Sequence, residues 1–210
     1  MSTNSRAVFP LWRSARNVRC TPSPITPYPP TPYCKAHRRI CTDTHIAVIA
    51  VLHGISFGLA LDMSLACDIR FSTTTTKFSV KEVDIGLAAD VGTLSRLPRA
   101  VGNLSWVKDV TLSARIFGSD EALRVGLVSA VYGTKTEAVG EALKLAGLIA
   151  SKSPVATSGT KELLNYSRDH SVQDGLRYTA VWNSAMLQTQ DVKDAMLSGL
   201  QKRKPTFSKL

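Results

Sequence analysis

Residues 46–70 read I-A-V-I-A-V-L-H-G-I-S-F-G-L-A-L-D-M-S-L-A-C-D-I-R, and this stretch decides the fold. Residues 46–52 are a short β-branched apolar run, the pattern of a strand buried on both faces. His53 to Gly58 reads as a turn, and residues 59–66 read as a helix. On that helix Leu59, Asp62, Met63 and Ala66 recur at i, i+3, i+4 and i+7, so Asp62 is the one charge on an otherwise apolar stripe. Residues 67–71 alternate apolar and polar side chains, as do residues 77–80, with the threonines at 73–76 as a turn between two strands.

The same alternation continues outward. After a long loop, Asn103 is placed to cap a helix over 104–114, and Ser119 starts another, with Asp120 and Glu121 in its first turn and Gly126 closing it. Residues 127–132 read as a strand. Thereafter the pattern is helical: 136–151, with Ala138, Ala142, Leu145, Leu148 and Ile149 on one face, then a helix from Pro154 behind Ser153. A helix from Ser171 to about Leu187 and a last one over 191–200 follow. Strands alternating with helices and then helices alone give an α/β layer with a helical C-terminal extension.

The charge divides the chain in two. The 210 residues carry a formal net charge of +10, as a nucleic-acid binder does, yet residues 1–41 hold seven Lys/Arg and no Asp or Glu. The other 169 residues hold 19 basic and all 16 acidic side chains, a balance of +3, with no basic stripe interleaved with aromatics. Nucleic acid is therefore not expected as a partner. Nor is a membrane span, since no apolar run approaches about 18 residues. Seven of the ten prolines lie in residues 10–32, where T-P-S-P-I-T-P-Y-P-P-T-P-Y at 21–33 reads as extended linker. Residues 1–45 are accordingly expected to be a disordered Pro/Arg-rich segment, and residues 46–210 the domain, with a core over 46–132 and C-terminal helices over 133–210.

Cys20, Cys34 and Cys41 lie in the first segment and Cys67 in the second; no C-x-x-C occurs, and His37 and His45 complete no zinc pattern, so no metal site is expected. The Arg-rich, acid-free first twenty residues match a mitochondrial transit peptide in composition. The chain finishes Ser208-Lys209-Leu210, the peroxisomal address read by an import receptor. Peroxisome is the expected compartment and mitochondrion the alternative.

The chemistry turns on carboxylates. Asp62 sits on its apolar stripe, Glu82 follows a strand between Lys81 and Val83, and Asp90 ends the apolar G-L-A-A at 86–89. Each has an ordinary reading as well: a core acid with a backbone partner, a partner of Lys81, a loop cap. Two carboxylates close together in an apolar pocket repel, one pKa rises, and the pair can hold one proton between them. That is what moving a proton at neutral pH requires. Gly58 and Leu59 turn into a helix, where unpaired N–H groups and the positive dipole end can stabilise an enolate oxygen. No phosphate-binding glycine motif accompanies them.

H-G-I-S-F-G-L-A-L-D-M-S-L-A-C-D-I-R at 53–70 resembles the central signature of the enoyl-CoA hydratase/isomerase (crotonase) superfamily. K-E-V-D-I-G-L-A-A-D-V-G-T-L-S-R-L-P-R-A at 81–100 is similar to its Δ3,5-Δ2,4-dienoyl-CoA isomerase branch, which has an acid in the A-A-D-V-G-T position where hydratases have glycine. S-K-S-P at 151–154 and Y-S-R-D-H-S at 166–171 look like the same branch. The resemblance implies a crotonase-like core of ββα repeats. It implies an isomerase of 3,5-dienoyl-CoA thioesters in fatty-acid β-oxidation, with no cofactor beyond the coenzyme A carried by the substrate, and a homo-oligomer, trimer or hexamer. It carries the proton-transferring pair onto Glu82 and Asp90, the third acid onto Asp62, and one oxyanion donor onto the Leu59 N–H beside Gly58. Asp68 and Asp84 are read as structural. The family's consecutive glycines are replaced here by Gly58-Leu59-Ala60. Its first strands, much of its CoA surface and its second oxyanion donor find no counterpart in residues 1–45, so the core is expected to be incomplete. The alternatives are an enoyl-CoA hydratase, or an inactive member acting only in oligomer contacts.

Overall fold

The computed structural model describes residues 44–208. The expectations for residues 1–43, including three of the cysteines and the transit-like segment, and for Lys209 and Leu210, lie outside the described residues. Among the described residues two three-stranded sheets carry the fold, ordered β1-β3-β6 and β2-β4-β5.

The chain visits them in turn. β1 (Ile49–Leu52) enters the first sheet and β2 (Ile55–Phe57) the second, α1 (Leu59–Ala66) crosses over, and β3 (Ile69–Thr73) and β4 (Lys77–Ser79) repeat the path. β3 lies parallel to β1 with Ile49 opposite Ile69, and β4 parallel to β2 with Ile55 opposite Lys77. A 3-10 turn (Glu82–Ile85), α2 (Thr93–Ala100) and α3 (Leu104–Ser113) follow. β5 (Phe117–Gly118) closes the second sheet antiparallel to β4, and after α4 (Ser119–Arg124), β6 (Ala130–Tyr132) joins the first, parallel to β3. The helices α5 (Lys135–Ala150), α6 (Pro154–Tyr166), α7 (Val172–Met186) and α8 (Gln190–Leu200) complete it. This is the crotonase-like α/β arrangement with a helical C-terminal region.

The core lies where α1, α2, α3 and α4 meet the second sheet: Leu61, Leu65, Phe78, Val80, Leu97, Val107, Val110, Phe117 and Leu127 are all buried. Phe117 stacks on Phe78 at 5.4 Å between ring centroids and meets Trp106 edge-on at 5.1 Å. Caps stand where the sequence places them. Asn103 Oδ1 accepts from Trp106 N at 3.0 Å, Ser153 Oγ from Ala156 N at 3.1 Å, and Ser171 Oγ from Asp174 N at 3.1 Å.

Four sequence expectations change. β1 is shorter than the run 46–52 and is not buried on both faces: at the end of its sheet only Leu52 is buried. The supposed turn 53–58 contains β2, whose three residues are too few to show alternation between two glycines. On α1 the stripe divides: Leu59 and Met63 are exposed at 44% and 43%, Asp62 and Ala66 are buried, and Leu61 and Leu65 enter the core, because this helix is apolar nearly all round and its periodicity does not name a face. The long loop before Asn103 contains α2 in spite of Pro98 within it.

Candidate active site

Gly58 is the hinge of the site. It links β2 to α1 at φ 49° and ψ −117°, a conformation reserved for a residue without Cβ. Its N–H donates to Ser79 O of β4 at 3.0 Å, and its carbonyl accepts from Leu61 and Asp62. The N–H groups of Leu59 and Ala60, at the positive end of α1, have no hydrogen-bond acceptor among the described residues.

Glu82 folds over this turn. A Cβ at Gly58 would lie 3.0 Å from Glu82 Oε1, so the absent side chain leaves the space that the carboxylate occupies. The other oxygen, Oε2, is buried with no hydrogen-bond partner among the described residues. Burial pushes the Glu82 carboxyl above the usual carboxylate range; its own backbone pulls the other way, and the charges of Asp62 and Asp90 raise it further. Lys81 offers no relief. Its Nζ donates to Asp84 Oδ2 at 2.8 Å and to Ala114 O at 3.0 Å, so the reading of Glu82 as a partner of Lys81 is replaced by a Lys81–Asp84 pair.

Asp62 is 2% exposed. Its Oδ1 accepts from Thr93 N at 2.7 Å and from the Thr93 hydroxyl, so α1 supplies an acceptor to the first residue of α2. Thr93 is the residue of this constellation that sequence reasoning did not single out, although it closes the A-A-D-V-G-T motif. Asp90 stands exposed three residues before Thr93 and makes no hydrogen bond or ion pair among the described residues. Gly58, Leu59, Asp62 and Glu82 are thus brought around one turn, with Asp90 within electrostatic reach of Glu82. Asp68 and Asp84 play the structural parts read for them: Asp68 Oδ2 accepts from Val48 N at 2.7 Å and from Lys161 Nζ at 2.8 Å. Among the described residues no three His, Cys, Asp or Glu side chains converge as a metal site needs. A cavity of about 410 Å³ among α6, α7 and α8, with Trp182, Met186 and Phe207 in its wall, shares no residue with this turn.

Asp62, Glu82 and Asp90 thus stand within electrostatic reach of one another beside two N–H groups that have no acceptor among the described residues. The sequence model described as enoyl-CoA hydratase/isomerase matches residues 31–209. The chain belongs to that family. Among its relatives, the mouse (Mus musculus) protein named Delta(3,5)-Delta(2,4)-dienoyl-CoA isomerase, mitochondrial, is 52% identical over 166 residues, 78% of this chain and 51% of that one. The Arabidopsis thaliana protein named Delta(3,5)-Delta(2,4)-dienoyl-CoA isomerase, peroxisomal, is 46% identical over 78% of this chain and 58% of its own. The solved structure of DspI from Pseudomonas aeruginosa matches with a TM-score of 0.76 at 31% identity, over 83% of this chain and 64% of that one. The chain therefore spans about half the length of the curated relatives it matches. Among the described residues no helix is long and apolar enough to cross a membrane.

Proposed function

We propose that this protein isomerises 3,5-dienoyl-CoA to 2,4-dienoyl-CoA by proton transfer between carboxylates. The observation that carries the reading is Glu82 held over the Gly58–Leu59 turn within the electrostatic reach of both Asp62 and Asp90, in a chain half identical to named dienoyl-CoA isomerases.

The reaction moves the double bonds from C3 and C5 to C2 and C4. A C–H bond breaks at C2, beside the thioester carbonyl, the electron pair passes along the conjugated chain, and a C–H bond forms at C6. One carboxylate takes the first proton and the other acid supplies the second; two groups at separate points spare one base from travelling. Charge builds on the thioester oxygen meanwhile, and the Leu59 N–H at the start of α1 is placed to donate to it. The raised affinity of Glu82 for a proton suits a group that takes up a proton in one half of the reaction and releases it in the other. Coenzyme A enters with the substrate and no other cofactor is required.

The assay is turnover of a 3,5-dienoyl-CoA by the purified chain, followed by the absorbance of the conjugated product. Asp90→Asn and Glu82→Gln are each expected to lower kcat by roughly 10²–10⁴-fold, the usual contribution of general acid–base groups. Water addition to a 2-enoyl-CoA with no dienoyl turnover would assign the protein to the hydratases instead. The reading also includes a homo-oligomer, trimer or hexamer, tested by light scattering. Peroxisomal import through Ser208-Lys209-Leu210 is proposed as well, because the relatives' names divide between peroxisome and mitochondrion. A fluorescent fusion with and without those three residues separates the two compartments.

A further inference from the structure

Leu59 brings a side chain as well as an N–H to the turn at the start of α1. It is the first residue of that helix, directly behind Gly58, and 44% of it is exposed among the described residues. Met63 stands one turn further on, 43% exposed, so the two side chains adjoin at i and i+4. Ala60 is exposed between them, whereas Leu61 and Asp62 are buried. The outward edge of this helix is therefore apolar from its first residue.

Helix geometry joins that edge to the unassigned donors. The Cα–Cβ bond of a helical residue tilts toward the N-terminus, the direction in which its N–H also points. At Leu59 the two leave from adjacent atoms. An oxygen accepting from Leu59 N at about 2.9 Å thus lies close to the Leu59 side chain, and so do the atoms bonded to that oxygen's carbon. On the other flank stands Glu82, whose Oε1 would lie 3.0 Å from a Cβ at Gly58. Carboxylate and leucine follow one another around a single turn.

We propose that Leu59 is a specificity-determining residue whose side chain walls the carbon next to the thioester carbonyl and excludes thioesters branched at C2. The identity of the bound oxygen rests on the isomerase reading; the role of the side chain goes beyond it. A thioester carbonyl has two neighbours, sulfur and C2. The sulfur side is the same in every coenzyme A thioester, so only contact on the C2 side can select among them. C2 is also the carbon that gives up a proton to a carboxylate, which places it between Glu82 and Leu59. A methyl branch there has to enter the gap that the leucine closes. An apolar wall separates ligands differing by one such group by about 10–200-fold.

The test is calorimetric titration of the full chain with hexanoyl-CoA and with 2-methylhexanoyl-CoA, saturated thioesters that have no double bonds to shift. Wild type is expected to bind the straight thioester about tenfold or more tightly than the branched one. Leu59→Ala keeps the N–H and suits an exposed helical position, and it should reduce that ratio to about twofold or less, with Leu59→Val in between. Equal affinity of wild type for the two thioesters, a ratio that neither substitution moves, or no saturable binding of either would overturn the proposal. Turnover of a 3,5-dienoyl-CoA by the same preparations keeps the two readings apart. Turnover with an unmoved ratio strikes only the role of Leu59, and a reduced ratio without turnover strikes only the isomerase reading.

Discussion

Glu82 Oε2 is a buried oxygen without a hydrogen bond among the described residues, and Asp62 and Asp90 add like charge within reach of it. The folded protein therefore binds the Glu82 proton more tightly than the unfolded chain does. Where the folded form holds more protons, stability falls as pH rises, so Glu82 costs the fold nothing below its unfolded pKa and costs most above its raised folded pKa. Glu82→Gln is thus expected to unfold at a higher temperature than wild type at pH 7, with the difference closing in acid; calorimetry at pH 4 and pH 7 measures it. Gly58→Ala acts on the same oxygen from the other side. The positive φ costs about 1–2 kcal/mol for any residue with a Cβ, and that carbon would press on Glu82 Oε1, so stability and kcat should fall together. Asp90 is exposed to solvent. Isomerisation in D2O is accordingly expected to give product with deuterium at C6, read by mass spectrometry, if Asp90 delivers the second proton.

At the scale of elements, α2 is the instructive case. It has Pro98 within it, which removes one helical N–H, and it is only eight residues long. Tertiary structure makes up the deficit: Asp62 accepts from Thr93 at its start, while Leu97 packs into the core. Asp62→Ala would leave the buried Thr93 N–H and hydroxyl unpaired, at a cost of about 1–3 kcal/mol, and amide exchange in α2 should accelerate more than in α3. This pairing explains what the sequence could and could not disclose. The caps at Asn103, Ser153 and Ser171 act within three residues, so they were legible, as was the whole of α1. The carboxylates were legible as odd charges in apolar surroundings and through the A-A-D-V-G-T motif. Hidden from local pattern were α2, whose stabilising partner lies 31 residues away, the three-residue β2, and the buried face of an all-round apolar helix.

The whole molecule is held together across long separations in sequence. Ser158 Oγ donates to His45 O, and Lys161 Nζ to Ile46 O and to Asp68, so α6 fastens the segment that leads into β1. Lys161 is buried beside a half-buried carboxylate, and Lys161→Ala leaves Asp68 without its cation. The expected loss is about 2–3 kcal/mol in urea unfolding, whereas Lys144→Ala, from a surface pair with Glu141, should leave the unfolding midpoint essentially where it was. That fastening also sets an order of events during synthesis. The segment at 44–52 leaves the ribosome early, but its anchors in α6 follow more than a hundred residues later, and β3 waits for β6 in the same way. The growing chain therefore carries β3 without β6, and β1 without its anchors in α6, until those segments emerge, the interval in which a chaperone would be most needed. Nascent chains stalled before and after residue 161 should differ sharply in protease resistance.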